Sequence, residues 1–341
     1  MTTLIYACSL LLAVLMGFAV HRASLCTVKT VGEILSSRKA YMMATLIKAV
    51  LWVVAVSVPI LLFLPDSAAP HRSYAITFAA IGGGFLFGVG AAVNGGCAFS
   101  TLGQLANGNL WMLTTLFGFC MGVAGLSIMV PMTAPSQTLT PLLLKTPKPL
   151  ILTGLGVLWL LACWEIFRLW RSREKGKSGR QLFFSRHYRL STAALLLGTC
   201  GGVLYVLHDA WTYTNVLKQE VQSLWHLNEQ PGTIKLLFFL ALFCGMLLSA
   251  WQRGSLKLRW RRLKAWPRHL MGGTLMGAGA VLIPGGNDTL ILKSLPGLSP
   301  HAIPAFVALV FGIGVTLLFM RLLTGKTLKV VCTNDICRSE I

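Results

Sequence analysis

Long apolar runs alternate with short polar segments along most of the chain. An α-helix needs about 17 to 25 mainly apolar residues to cross ~30 Å of hydrocarbon, and most of the runs have that length. The eighth run is shorter, so we expect a partial span there. The pattern therefore predicts an all-α integral membrane protein. Its nine predicted transmembrane helices lie at 3–20, 42–63, 74–93, 109–131, 149–167, 190–208, 233–251, 269–283 and 301–320.

Composition agrees with this prediction, and the distribution of charge orients the chain. Of the 341 residues, 55% are hydrophobic and 12% charged, against about 25% charged in soluble domains. The net charge is +20, and 23 of the 30 Lys and Arg residues lie in the segments 21–41, 168–189, 252–268 and 321–341. Because cytoplasmic loops retain positive charge, we expect these segments in the cytoplasm and the N-terminus outside. The basic loops then rest against anionic membrane lipids, and we expect no nucleic-acid partner.

Two Gly-rich motifs indicate an internal repeat. Residues 83–97, GGFLFGVGAAVNGGC, match 272–287, GGTLMGAGAVLIPGGN, and HRASLC at 21–26 matches QRGSLK at 252–257. An extra helix in the first copy reverses the membrane side that the second copy faces, as in many secondary transporters. The repeat predicts two pseudo-symmetric halves with broken or re-entrant half-helices. Its segments are a first half at 1–148, connecting helices at 149–232, a second half at 233–323 and a cytoplasmic tail at 324–341.

The stretch NGGCAFSTLGQLANG, 94–108, indicates what such a break offers chemically. Gly95 and Gly96 are expected to interrupt a helix within the membrane, and a new helix is predicted to start at Cys97. A second helix start is predicted at Asn287, after the second GG pair. The first N–H groups of a helix have no partner within it and form a positive dipole end. The two breaks therefore predict an anion site inside the membrane.

These motifs resemble those of the YeeE/YedE family of inner-membrane sulfur-compound transporters. The resemblance lies in RxSLC at 22–26, GGC at 95–97 and their degenerate second copies. It implies a helical, hourglass-like bundle in the bacterial inner (plasma) membrane. In such a bundle Cys26 and Cys97 pass a small sulfur-containing anion, with thiosulfate as the expected substrate, between their S–H groups. The chain departs from the family at Asn287, where a further pathway cysteine is expected.

The candidate residues allow more than one interpretation. Cys97 donates a hydrogen bond to the anion, or it is only a small residue at a close helix crossing. Asn94 and Gln104 line the gap, or they satisfy its broken backbone. Arg22 attracts the substrate or ends a helix as a topology charge, and Lys257 adds a positive charge to the path. The predicted substrate path is Cys97, Cys26, Asn94, Gly95, Gly96, Asn287, Arg22, Lys257 and Gln104.

Three classes of function remain open at this point. The leading one is uptake of a sulfur-containing anion, and the alternatives are a membrane sulfurtransferase that uses Cys97 as nucleophile and a non-transporting scaffold subunit. No HExxH, GxSxG or P-loop motif is present, so we expect no enzyme, cofactor or metal. Asp288 would repel a dianion unless it caps a helix or pairs with Lys293. The expected partners are the anion, membrane lipids and a small cytoplasmic sulfur-carrier protein.

Other cysteines and histidines receive structural interpretations. Cysteines within apolar spans usually act as small hydrophobic residues. Cys332 and Cys337 lie on the predicted cytoplasmic tail, where thiols stay reduced. His21, His208 and His269 lie at predicted span ends, where we expect the imidazoles to reach towards the interface.

Overall fold

A computed structural model describes most of the chain. Helices make up most of the described part, and a two-stranded hairpin follows the last helix. The described residues are 2–64, 73–129, 147–171, 185, 188–209, 211–225, 232–260, 266–325, 328–333 and 336–340.

Six helices precede residue 130, and two of them are short. They are α1 Thr2–Ala23, α2 Thr27–Ser37, α3 Tyr41–Phe63, α4 Phe78–Asn94, α5 Ala98–Ala106 and α6 Met112–Met129. The sequence assigns 21–41 to a loop, and this prediction is wrong because α2 occupies much of it. The helix packs into the bundle through Thr27, Val28 and Val31, which are all buried. Its polar residues conceal this packing face from a search for long apolar runs.

Seven further helices and one π-helical turn follow. They are α7 Lys148–Arg171, α8 Leu190–His208, α9 Tyr213–Ser223, α10 Thr233–Gln252, α11 Trp266–Leu282, α12 Asn287–Thr289, the π-turn Leu290–Ser294 and α13 Ala302–Thr324. Within the described residues, eight helical segments are long and apolar enough to cross a membrane, or up to nine if the bent pair formed by α11 with 287–294 counts as one span. The predicted all-α, multi-span architecture is confirmed, and the short eighth run corresponds to this bent pair.

Glycine conformations produce the two helix breaks. Gly95 ends α4 with a left-handed φ of 79°, and its N–H returns to the Ala92 carbonyl at 3.0 Å. Gly285 adopts a φ of 133° between α11 and α12. A side chain would clash with the backbone in these conformations, whereas glycine adopts them at little cost. Both predicted interruptions are therefore confirmed.

Glycines also hold α4 against α11. A Cβ atom on Gly90 would lie 2.7 Å from the Gly272 carbonyl oxygen, and one on Gly279 would lie 2.7 Å from the Gly83 carbonyl oxygen. Small residues are favoured at such close membrane-helix contacts. The pairing of early with late residues shows that the helices run antiparallel. The two GG pairs consequently lie at opposite ends of this crossing.

Helix neighbours repeat in the two parts of the bundle. Helix α1 packs against α10 while α8 packs against α3, and α4 packs against α13 while α11 packs against α6. If each helix of α1–α6 is exchanged with the helix at the same place in α8–α13, so that α1 becomes α8 and α4 becomes α11, the same set of pairs results. The segment 149–232, predicted as connecting helices, contains α8 and α9, which take the places of α1 and α2 in this exchange.

The predicted tail forms a hairpin rather than a free polar segment. Strands β1 Lys329–Thr333 and β2 Ile336–Glu340 pair antiparallel, with Cys332 directly opposite Cys337. These two cysteines form a disulfide. The expectation of reduced thiols here is therefore wrong for this structure, because the cross-strand register holds the sulfur atoms together.

Candidate functional site

Cys26 and Cys97 occupy equivalent positions at the starts of two short helices. Cys26 is the N-cap of α2 and Cys97 the N-cap of α5, and both have extended backbones. Their exposed fractions are 2% and 1%. Neither side chain forms the usual cap hydrogen bond within its own helix. The first N–H groups of these helices thus depend on partners from elsewhere in the fold.

Each cysteine sulfur accepts a backbone N–H group at the start of the helix that the other cysteine caps. The Thr27 N–H at the start of α2 donates to Cys97 Sγ at 3.4 Å. The Cys97 N–H donates to Cys26 Sγ at 3.5 Å. Cys97 Sγ therefore accepts the N–H of the residue after Cys26, and Cys26 Sγ accepts the N–H of Cys97 itself, although the two cysteines are 71 residues apart. This reciprocal contact joins the RxSLC and GGC motifs at one buried point.

Although the two GG pairs lie at opposite ends of the crossing of α4 with α11, the side chain of Asn287, the residue after the second pair, reaches the contact between Cys26 and Cys97 through Thr27. Its side chain is fully buried, and Nδ2 donates to Thr27 Oγ1 at 3.1 Å. Its Oδ1 has no hydrogen-bond partner among the described residues. We call Cys26, Thr27, Cys97 and Asn287 the central cluster. Its members come from helix starts in both parts of the bundle.

Asn94 stabilises the helix break at Gly95 and Gly96 through side-chain hydrogen bonds. Its Nδ2 donates to the Gly96 carbonyl and to Thr101 Oγ1, each at 3.0 Å. Its Oδ1 accepts from Thr115 Oγ1 at 2.7 Å and lies 2.9 Å from His269 Nδ1. These contacts engage both ends of the amide, so the geometry favours the backbone-satisfying interpretation of this residue.

A cavity of about 950 Å³ reaches the first break. Asn94, Gly95 and Gln104 contribute to its wall, together with Arg268 and Arg321. We call this cavity the vestibule. It approaches the GGC motif from one side and places two guanidinium groups along the way. A basic wall of this kind raises the local concentration of anions.

Two predicted path residues lie away from the central cluster. Arg22 is 1% exposed and donates to Ser249 Oγ at 3.1 Å, to Gln252 Oε1 at 2.8 Å and to the Ser185 carbonyl. Its guanidinium is thus occupied at the junction of α1 with α10. Lys257 is exposed in an extended segment after α10, where its N–H donates to the Asn107 carbonyl. The structure does not give Lys257 a position equivalent to that of Cys26, which begins a helix.

Asp288 accepts hydrogen bonds from neutral donors, and Lys293 is not among its partners. Its carboxylate accepts from the Thr214 N–H at 3.2 Å, from Thr214 Oγ1 and from the Thr289 N–H at 2.9 Å. Lys293 pairs with Asp209 at 2.8 Å. These contacts tie Asp288 to α9, and the suggested pairing with Lys293 is wrong.

Sequence reasoning missed the two threonines that connect the breaks. Thr27 joins Cys97 to Asn287, and Thr214 Oγ1 accepts the Gly286 N–H at 3.1 Å. One available signal was the spacing H-x-A-x-x-x-T, which begins at His21 and again at His208. This repeated spacing aligns α2 with α9 and agrees with the exchange of helix neighbours.

The histidine prediction also needs correction. His21 is 5% exposed, with Nδ1 2.8 Å from Ser249 Oγ and Nε2 3.2 Å from Asn107 Oδ1. His269 is 3% exposed and contacts Asn94. Both imidazoles are therefore held inside the bundle by polar partners rather than reaching towards an interface.

One family of known proteins matches the part of the chain that contains this site. The model of a protein family described as Sulphur transport matches residues 22–315. The match begins at the RxSLC motif and includes Cys97 and Asn287, so it contains the whole central cluster. No curated protein matches the chain.

Proposed function

Because this multi-pass membrane protein belongs to the sulphur transport, or YeeE/YedE, family, we propose that it takes up thiosulfate across the bacterial inner membrane. The reciprocal contact between Cys26 and Cys97 carries the proposal. It brings two thiols together at helix starts, where positive dipole ends favour an anion. The substrate then passes through the central cluster.

Thiols suit a conduction path because they bind weakly. A conducted ion must bind well enough to enter and weakly enough to leave. A neutral S–H group is a weak donor, and its polarisable sulfur matches the terminal sulfur of thiosulfate. Cys26 and Cys97 act as protonated donors during passage, since thiolates would repel the incoming dianion. Asn287 contributes its amide N–H where the family pattern has a further cysteine.

The closed cluster requires a conformational change during transport. Cys26, Cys97 and Asn287 are each at most 2% exposed, so no ion passes while their mutual hydrogen bonds persist. Entry of the anion replaces these bonds and separates the helix starts. The vestibule gives access on one side, with Arg268 and Arg321 attracting the ion. We assign the vestibule to the cytoplasmic side, because it lies beside the basic ends of α11 and α13.

The repeat is part of the same proposal. The exchange of helix neighbours supports an inverted repeat in which α1–α6 correspond to α8–α13, with the second copy beginning at Leu190 rather than at 233. The N-terminus is then outside and the C-terminus inside. We propose membrane lipids and a small cytoplasmic sulfur-carrier protein as partners. We propose no catalytic step by this chain, because the Cys26 and Cys97 sulfurs accept hydrogen bonds from backbone N–H groups.

Uptake into vesicles tests the substrate. Proteoliposomes that contain only this protein should take up radiolabelled thiosulfate faster than sulfate, because sulfate has the same charge but lacks the soft terminal sulfur. Unlabelled sulfide and selenium analogues as competitors define the range of substrates. Thiosulfate uptake no faster than in protein-free vesicles would overturn the proposal, and equal uptake of sulfate would overturn the role of the thiols.

A further inference from the structure

Three metal-ligating side chains meet where the C-terminal hairpin contacts α2. They are Glu33, Cys332 and Cys337, whose carboxylate oxygen and sulfur atoms all lie within 4.8 Å of one another. The cysteines share a disulfide across the hairpin, and Glu33 comes from the middle of α2. Among the described residues this is the one group of three or more such ligands. It lies outside the central cluster.

The hairpin is docked on α2 through β1. Val330 is 1% exposed, and its N–H donates to Ser36 Oγ at 3.4 Å. Leu328, just before the strand, packs on Gly32. Side chains two residues apart in a strand share a face, so Cys332 lies on the same face as Val330. This docking holds the two sulfur atoms over Glu33.

Glu33 is a buried carboxylate without a cationic partner among the described residues. Its exposed fraction is 0%, and it accepts the N–H groups of Tyr41 at 3.2 Å and Met42 at 2.8 Å. Those donors belong to the start of α3 and account for part of its stabilisation. Buried charges are normally paired with an opposite charge or coordinated to a metal. A cation at the two sulfurs would supply that charge.

We propose that, when the Cys332–Cys337 disulfide is reduced, the two thiolates and the Glu33 carboxylate bind one Zn²⁺ ion. Binding releases one proton from each thiol and transfers no electrons. Reduction beforehand takes two electrons and two protons from a dithiol, which becomes a disulfide, or two electrons from a phosphine, which becomes a phosphine oxide while water supplies its oxygen and the two protons. Thiolate ligands select a soft or borderline ion over Mg²⁺ or Ca²⁺. Exchange with an external disulfide, which accepts the two electrons and is reduced to thiols, forms the Cys332–Cys337 disulfide again, removes two of the three ligands and releases the ion.

The position of Glu33 beside the two sulfurs suits this ion. Zinc binds thiolate sulfur at about 2.3 Å and carboxylate oxygen at about 2.0–2.2 Å in a tetrahedral arrangement, which puts two sulfurs about 3.8 Å apart. All three ligand atoms lie within 4.8 Å of each other while the sulfurs are bonded in the disulfide, so after reduction the two sulfurs must move apart to bind the ion. Three protein ligands leave a fourth position for water or an external sulfur ligand.

Metal content of the full-length protein tests this site. Protein in detergent is reduced with a phosphine, incubated with Zn²⁺, desalted and analysed for metal. We expect about one zinc per chain, and a loss of most of it in the Cys332→Ser/Cys337→Ser variant. A matched control, Cys163→Ser/Cys244→Ser, removes two exposed thiols and should bind like the parent. Glu33→Gln should weaken binding about tenfold or more.

Cobalt substitution gives a second measurement that does not depend on transport. Co²⁺ bound to the reduced parent should show a sulfur-to-cobalt charge-transfer band that the Cys332→Ser/Cys337→Ser variant lacks. Reduced parent protein that holds no more zinc than this variant would overturn the proposal and leave the hairpin as a disulfide-closed structural element. Unchanged affinity in Glu33→Gln would overturn the three-ligand site. Thiosulfate uptake is not measured here, so this test fails or succeeds independently of the proposed transport function.

Discussion

Replacing Cys97 by alanine is the sharpest test of the central cluster. The side chain is 1% exposed, and its sulfur accepts the Thr27 N–H at 3.4 Å. Alanine leaves that N–H without its acceptor and opens a space of about one atom. An unsatisfied buried donor costs about 1–3 kcal/mol. We therefore expect a small fall in the free energy of unfolding and a folded protein at near-normal membrane abundance.

The expected effect on transport is larger than the effect on stability. A hydrogen bond to a charged group contributes about 1.5–3 kcal/mol. If the Cys97 S–H makes such a bond as the anion crosses, its loss raises the barrier by this amount, and uptake falls roughly 10- to 100-fold because each 1.4 kcal/mol is a factor of about ten. Cys97→Ser keeps a donor, but the harder hydroxyl holds the ion more strongly. Its uptake should be intermediate.

The assay is the initial rate of thiosulfate uptake into proteoliposomes at matched protein content. Cys244→Ser is the control, because this free thiol of α10 is exposed and should not affect the rate. If Cys97→Ala and Cys97→Ser both transport like the parent, Cys97 is only a small residue at a close helix contact. That result would remove the thiol from the mechanism.

Three further predictions follow from the same structure. Gly90→Leu should abolish folded protein in the membrane, because the new Cβ would lie 2.7 Å from the Gly272 carbonyl oxygen. The control Gly125→Leu should be tolerated, since nothing lies within 4 Å of a Cβ at that position. Membrane abundance and thermal stability of the two variants test this prediction. Asn287→Asp should lower thiosulfate uptake more than Asn287→Cys, because a carboxylate repels the dianion while a thiol keeps a donor; equal rates would contradict a path through this residue. A reporter fused after Arg180 should be active only in the cytoplasm, and activity outside would reverse the topology.

The spans were predictable because hydrocarbon leaves the backbone few choices. An apolar segment in lipid must satisfy its own hydrogen bonds, so long apolar runs become helices. The same reasoning located the breaks at Gly95 and Gly285, where glycine permits conformations that other residues avoid. It failed for α2 and α9, whose polar residues make them look like loops. Those residues are buried against other helices, as Glu33 and Gln222 illustrate.

The contacts within the site depend on which helices meet, and one sequence does not encode that in any local pattern. Cys97 was recognisable from its motif, but its contact with Cys26 crosses 71 residues. The suggestion that Asp288 either caps a helix or pairs with Lys293 used residues near in sequence, whereas Lys293 pairs with Asp209. Likewise, residues 252–257 resemble 21–26 in amino-acid sequence, but the two segments do not occupy equivalent positions in the structure. The spacing shared by the segments that begin at His21 and His208 does follow structure, but its three identical residues are scattered over seven positions and are easier to overlook.

The hydrogen bonds of the central cluster also explain why it can release an ion. Besides the two S–H groups, three donors point into it: the N–H groups of Thr27 and Cys97, which contact sulfur atoms, and the Asn287 amide, which contacts a hydroxyl. Each already has a neutral acceptor. An entering anion therefore replaces the neutral acceptor of each donor with a charged one, which makes the free energy of each hydrogen bond about 1 kcal/mol more favourable. Three such exchanges contribute about 3 kcal/mol before the cost of dehydrating the ion, so we expect millimolar or weaker binding at this point. A cluster closed by its own weak bonds thus admits the anion without trapping it.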